Sequence, residues 1–199
     1  VYFSVVSWLN SFAVYKKWKK RPSAAEDDAP KKPRDPERAR SEIMNRAIRL
    51  LTYKPRSVKE LRARLLEKPW ADEKTVDEVL EKLSSYGYLN DGQLALQIAG
   101  SKLRQKPVGK IRLRQSLIKK KLDKETIDRA IEQAFSETPE SELIDRAIAS
   151  RLRLHGKPET REAAKKFFDF LMRRGFNYEL VREKMQQIAK GEMERDDVQ

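Results

Sequence analysis

The densest chemistry in this chain is cationic. Between Gly92 and Leu122 lie nine Lys and Arg side chains (Lys102, Arg104, Lys106, Lys110, Arg112, Arg114, Lys119, Lys120 and Lys121). Those 31 residues hold no carboxylate, in a chain that carries 31 of them. Such a stretch offers charge-assisted hydrogen bonds to oxyanions and little else. On a helix starting near Val108, Arg112, Ser116, Lys119 and Lys120 share a face with Gln115. Ile111, Leu113, Leu117 and Ile118 are expected on the other side. A shift of 54 residues lays Lys166, Arg173 and Arg174 on Arg112, Lys119 and Lys120. A single basic helix face is ordinary solvated surface, but a face that recurs at matched positions reads as a binding surface. The expected contact set is therefore Lys102, Arg104, Lys106, Lys110, Arg112, Arg114, Lys119, Lys120, Lys166, Arg173 and Arg174. DNA phosphate and an acidic protein groove both fit it. Earlier in the chain, with a one-residue gap allowed after the helix, Glu60 and Glu67 occupy two of the matched positions and dilute the face.

Other reactive groups are sparse. There is no Cys, so thiolate metal sites, disulfides and a cysteine nucleophile are excluded. The one His, His155, precedes Gly156 and reads as a cation at a helix C-terminus. The seven glycines are isolated, and no phosphate loop, nucleophile elbow or zinc-protease motif occurs. Asn90-Asp91 supplies one carboxylate and reads as a helix start. Asp77, Glu78, Glu81, Asp128 and Glu132 lie on polar helix faces. No enzyme, metal site or cofactor is expected.

The elements that must position the cations are helical. Ala, Glu, Lys, Arg and Leu make up half of the 199 residues, whereas Val, Ile and Thr total 25. The net charge is +13 and the pI about 9.8, which favours a polyanionic partner. Residues 1–15 are mostly apolar, too short to span a membrane, and followed rather than preceded by Lys16, Lys17, Lys19 and Lys20. With Val at position 1, they read either as a start-site artefact or disordered tail, or as a docking segment. Residues 21–41 hold Pro22, Pro30, Pro33 and Pro36 among charges and small side chains. Residues 1–41 are thus expected to be an apolar start and disordered linker, with the prolines preventing a helix that continues into Ser41.

From Ser41 onward, apolar residues recur at helical spacing and caps fall at regular intervals. Nine helices are predicted, near 42–53, 57–67, 72–86, 91–105, 108–121, 123–137, 138–155, 159–174 and 177–190. Ser57 and Glu60 form a capping-box pattern. A self-comparison places Leu117, Leu122, Asp123, Ile127 and Ile131 on Leu171, Phe176, Asn177, Val181 and Met185. Shifted back by 51 residues, they fall on Leu66, Ala71, Asp72, Val76 and Leu80. The fold class predicted is all-α: three tandem three-helix repeats in an elongated array, over residues 42–90, 91–137 and 138–190, with an acidic tail at 191–199.

Four stretches carry a resemblance. Arg56-Ser57-Val58-Lys59-Glu60-Leu61, Gly87-Tyr88-Leu89-Asn90-Asp91, Lys106-Pro107-Val108-Gly109-Lys110-Ile111-Arg112-Leu113 and Arg174-Gly175-Phe176 resemble the ordered signatures of the RecX family. Asn90 stands where that family usually has Asp, a neutral change for a cap. The resemblance covers residues 42–190 and implies three helix-turn-helix-like modules. It also implies a cytoplasmic bacterial modulator, most often an inhibitor, of RecA recombinase filaments on DNA, acting in repair, recombination and the SOS response. Such a protein lies in the filament groove, touches DNA directly or through the filament, and works as a monomer without a membrane or cofactor. The competing expectation is a helix-turn-helix DNA-binding protein of transcriptional or architectural type.

Overall fold

The computed structural model describes residues 35–191. The expectations for the apolar start, most of the Pro-rich linker and the acidic tail lie outside the described residues.

Nine helices and no strand occur among the described residues: α1 (Pro36–Tyr53), α2 (Val58–Leu66), α3 (Glu73–Ser85), α4 (Asp91–Gln105), α5 (Lys110–Ile118), α6 (Lys124–Glu137), α7 (Glu140–His155), α8 (Arg161–Arg173) and α9 (Tyr178–Lys190). None of them is long and apolar enough to cross a membrane. The chain's own polar residues start most of them. Ser57, Asp72, Asn90, Asp123, Thr160 and Asn177 each accept a backbone N–H of the following turn, and Ser57 with Glu60 closes the capping box. Each such cap contributes about 1 kcal/mol.

Three helices differ in their boundaries from the sequence reading. α1 begins at Pro36, six residues earlier than expected. Asp35 caps it, and Pro36 sits in the first turn, where a missing N–H costs nothing. Residues 36–41 are therefore helix, and Ala39 is buried in it. α5 is shorter at both ends. Its first amides are engaged by another segment, and Lys119–Lys121 turn out of the helix so that Leu122 can bury. Pro139 precedes α7 instead of entering its first turn.

α1, α2 and α3 pack together, as do α4, α5 and α6, and α8 packs on α9; the helices α2, α5 and α8 each bury an apolar pair four residues apart. Leu61 and Leu65 of α2, Leu113 and Leu117 of α5, and Phe167 and Leu171 of α8 are all buried. α2 lies one residue out of the register that aligned Leu66 with Leu117. Leu65 is the fully buried counterpart, and the difference is taken up in the loop before Asp72. The core is not evenly divided. Ile43, Ala47, Leu61, Leu65, Val76, Val79, Leu80, Leu83 and Leu89 form one cluster confined to the first module. A second cluster runs without a break from Ala95 on α4 to Ile188 on α9, fusing the second and third modules.

Candidate functional site

Two joints hold the modules together, and they are built alike. At each, the start of one module's second helix meets the end of the next module's second helix.

At the first joint, the Ser57 hydroxyl donates to the Lys120 carbonyl. The Lys120 ammonium donates to Glu60 at 3.3 Å. Asp91 Oδ1 reaches back to accept the Val58 N–H at 3.0 Å, so the second module helps cap a helix of the first. Burial pushes the Asp91 carboxyl above the usual aspartate range, and the Val58 N–H partly offsets this.

At the second joint, the Gly109 N–H donates to the Arg174 carbonyl at 3.0 Å and the Ile111 N–H to the Gly175 carbonyl at 3.1 Å. Arg174, the counterpart of Lys120 under the 54-residue shift, donates its guanidinium to the Pro107 carbonyl at 2.8 Å and stacks on Phe170. Burial lowers its pKa from the ordinary arginine value. Any Cβ on Gly109 would overlap the Gly175 carbonyl. Any Cβ on Gly175, which has φ +80°, would overlap the Arg112 amide. Only glycine lets these two backbones touch.

The second joint opens into a cleft of about 310 Å³ lined by Lys102, Gln105, Lys106, Val108, Arg112, Ser116, Arg173 and Arg174. Five of the eight residues are cations and none is a carboxylate. They come from the end of α4, the first turn of α5 and the end of α8. Lys102, Lys106, Arg112 and Arg173 form no ion pair with any described carboxylate. Three of the first four amides at the α5 N-terminus, those of Gly109, Lys110 and Ile111, are already engaged. The Lys110 N–H donates to Glu140, and the neighbouring N–H groups serve the joint. Recognition here rests on side chains.

The other expected contact residues scatter. Arg104 lines a different hollow beside Glu137 and Arg146. Lys110 lies over the Phe135 ring at 5.5 Å. Arg114 pairs with Asp128. Lys119, just past the end of α5, and Lys166, on α8, are exposed, seven residues from Arg112 and Arg173 respectively. Lys120 and Arg174, taken from sequence as members of the free basic face, are joint residues as well. Lys120 keeps only 20% of its side chain exposed. The apolar side of α5 also differs from expectation. Leu113 and Leu117 are buried, but Ile111 and Ile118 are 50% and 57% exposed, because the helix is packed along too narrow a stripe to hide all four. In the first module two cations of α2 are spent on local acids. Arg62 bridges Asp77 and Glu73, which raise its pKa, and Arg64 pairs with Glu67.

Sequence reasoning missed Asp91 as a cross-module acceptor and Gly109 with Gly175 as a contact. The signals were present: an acid directly after the capping Asn90, and Gly109 and Gly175 in the resembling stretches. All four of those stretches lie at the joints. The first two meet at one joint through Val58 and Asp91, and the last two at the other through Gly109 and Arg174.

Known proteins place this arrangement. Two family models match, described as the first three-helix domain of RecX over residues 44–83 and the second three-helix domain of RecX over residues 90–131. Regulatory protein RecX of Chlorobium phaeobacteroides (strain BS1) is 32% identical over 144 residues, which span 72% of this chain and 91% of that protein. The chain belongs to the RecX family. A RecX of Deinococcus radiodurans is 28% identical over 170 residues, covering 84% of this chain and 79% of that one. Among solved structures, the crystal structure of RecX from Lactobacillus salivarius superposes with a TM-score of 0.67 at 19% identity. It covers 77% of this chain and 99% of that chain, and it attests the shared RecX fold.

Proposed function

We propose that this RecX-family chain is a non-enzymatic modulator of RecA recombinase filaments on DNA. In this reading it acts as a monomer in the bacterial cytoplasm. It binds along the filament groove and lowers ATPase and strand-exchange activity, and so regulates repair and recombination. Family membership carries the reading: a curated RecX regulatory protein aligns with this chain over nine-tenths of its length. The physical chemistry suits the task. Modules joined in series make several modest contacts whose effects multiply through effective concentration. Unpaired cations on the second and third modules supply attraction to a polyanionic assembly.

A pull-down tests this directly. Single-stranded DNA coated with the cognate recombinase and ATP should retain the chain better than the same DNA naked, and the retained protein should slow ATP turnover. A clear preference for naked DNA would instead favour a helix-turn-helix DNA-binding protein of transcriptional or architectural type. Retention without any change in turnover would remove the inhibitory part of the reading.

A further inference from the structure

The end of α3 holds a feature that the cationic surfaces do not explain. Tyr86 and Tyr88 are 62% and 69% exposed, with ring centres 6.5 Å apart and ring planes at 89°. A contiguous exposed aromatic pair marks a contact surface where a lone ring would not. The backbone that carries the pair is pinned. Gly87, with φ +76°, reverses the chain between the two tyrosines. The Gly87 N–H donates to the Ser84 carbonyl and the Tyr88 N–H to the Leu83 carbonyl, both at 2.9 Å, which closes a glycine C-cap. Directly afterwards Leu89 is buried in the core of the first module, and Asn90 caps α4. Lys82 lies over Tyr86, 5.8 Å from the ring centre, and forms no ion pair with a described carboxylate. The matching ends of α6 and α9, Glu137-Thr138-Pro139 and Lys190-Gly191-Glu192, carry no aromatic.

We propose that the Tyr86–Gly87–Tyr88 corner is a base-stacking site on the first module, taking an unpaired base of a single-stranded nucleic acid. Two perpendicular rings suit one flat group. A base lying on either ring meets the other edge-on, so it gains a stack and an edge-to-face contact together. Stacking on an exposed aromatic is tolerant of sequence, because every base has a π-face. Lys82, beside Tyr86, is placed to meet the phosphate that accompanies such a base. Little side-chain and backbone freedom is lost on binding, since the corner is already fixed and each tyrosine has only two torsions. A neutral proline-rich peptide is the poorer occupant. It docks in a groove walled by aromatics, and it would leave Lys82 without a role. The site also gives the first module a contact that charge does not provide, its Arg62 and Arg64 being paired.

The proposal deepens the DNA part of the filament reading, and it is tested without recombinase. Fluorescence anisotropy of the full chain is measured over a salt series with a labelled oligothymidylate and with an abasic strand of equal length and charge. Tyr86→Ala combined with Tyr88→Ala should weaken binding to oligothymidylate roughly tenfold and to the abasic strand less than about twofold. The log–log salt slope should not change, because a stacked base releases no counterions. Lys82→Ala should instead flatten the slope by about 0.7, as for one phosphate contact on a single strand. Tyr88→Phe should bind like the parent. Circular dichroism should show parent-like helix content and melting for the double variant, both rings being on the surface. Should it melt early, the parent is irradiated with a 5-iodouracil strand. Adducts on the peptide containing Tyr86 and Tyr88 would support the site, and adducts only elsewhere would overturn it. Parent-like affinity of the folded double variant, or an equal loss on the abasic strand, would also overturn it. Parent-like affinity together with lost binding to a polyproline peptide would reassign the corner to a protein partner. If the parent is retained on recombinase-coated DNA while the folded double variant is unimpaired on naked strand, the stacking site falls and the filament reading stands. Failure of the parent on coated DNA, with the double variant defective on oligothymidylate alone, would do the reverse.

Discussion

Asp91 shows how much one side chain decides. It follows the capping Asn90 and looks like an ordinary first-turn acid, yet its Oδ1 satisfies an amide 33 residues earlier. Asp91→Ala should cost about 1–2 kcal/mol, the penalty of leaving the Val58 N–H without its acceptor. Asp91→Asn keeps an acceptor and discards a charge that burial disfavours, so its thermal midpoint should lie close to the parent value or above it at neutral pH. Equal losses in the two variants would show that the charge itself, and not the hydrogen bond, holds the joint. Gly109 and Gly175 are less forgiving. Gly109→Ala or Gly175→Ala forces backbone apart at the second joint and should cost on the order of 3 kcal/mol or more, read from chemical denaturation.

At the scale of the helix, the caps set both stability and its pH dependence. The backbone N–H groups of Thr75 and Thr126 hold the Asp72 and Asp123 carboxyls below the ordinary value of 3.8. A carboxyl whose folded pKa is lowered contributes stability that is complete above the unfolded value and lost as pH falls through the folded one. Melting temperature should therefore drop as pH is taken below about 4, and Asp72→Asn with Asp123→Asn should flatten that drop while leaving the caps in place. Asp91 runs in the opposite sense. Its raised pKa makes a contribution that is present at low pH and shrinks as pH rises through the folded value. The start of α1 offers a second check. A chain beginning at residue 42 loses the Asp35 cap, the buried Ala39 and the exposed Arg40–Glu78 pair. It should melt earlier than one beginning at residue 35, with the cap accounting for about 1 kcal/mol and the exposed pair for little. Identical melting of the two would mean that the first turns of α1 add nothing to the first module.

For the molecule as a whole, the uneven division of the core predicts uneven cooperativity. The first module keeps its own apolar cluster and meets the second at the first joint through Ser57, Asp91 and the Glu60–Lys120 pair, whereas the second and third modules share one cluster. Leu61→Ala, in the first cluster, should destabilise by about 2–5 kcal/mol. Hydrogen exchange should then accelerate in residues 36–85 and hardly change across α4–α9. Leu117→Ala should do the reverse, loosening α4–α9 as one unit. Acceleration spread evenly over the chain by either change would show one cooperative body in place of two.

Most of the helical framework was legible in the residues because its causes are local. A cap, an i to i+4 apolar pair and a terminal glycine act within a turn or two, so Ser57, Asp72, Asn90 and Asp123 announce their helices unaided. The same locality explains why Pro36 misled: proline breaks a helix from inside and starts one from the first turn, and Asp35 decided which. The basic character of α5 and α8, too, was present in composition and spacing. Which of those cations converge was not. Lys102, Arg112 and Arg173 share a cleft only because Gly109 and Gly175 bring backbones more than 60 residues apart into contact, and Lys120 and Arg174 leave the free face because the joints consume them. Pairings at that separation depend on how modules dock, which side-chain periodicity within a helix does not encode. Tertiary structure alone therefore separated the cations that build the joints from those left to meet a partner.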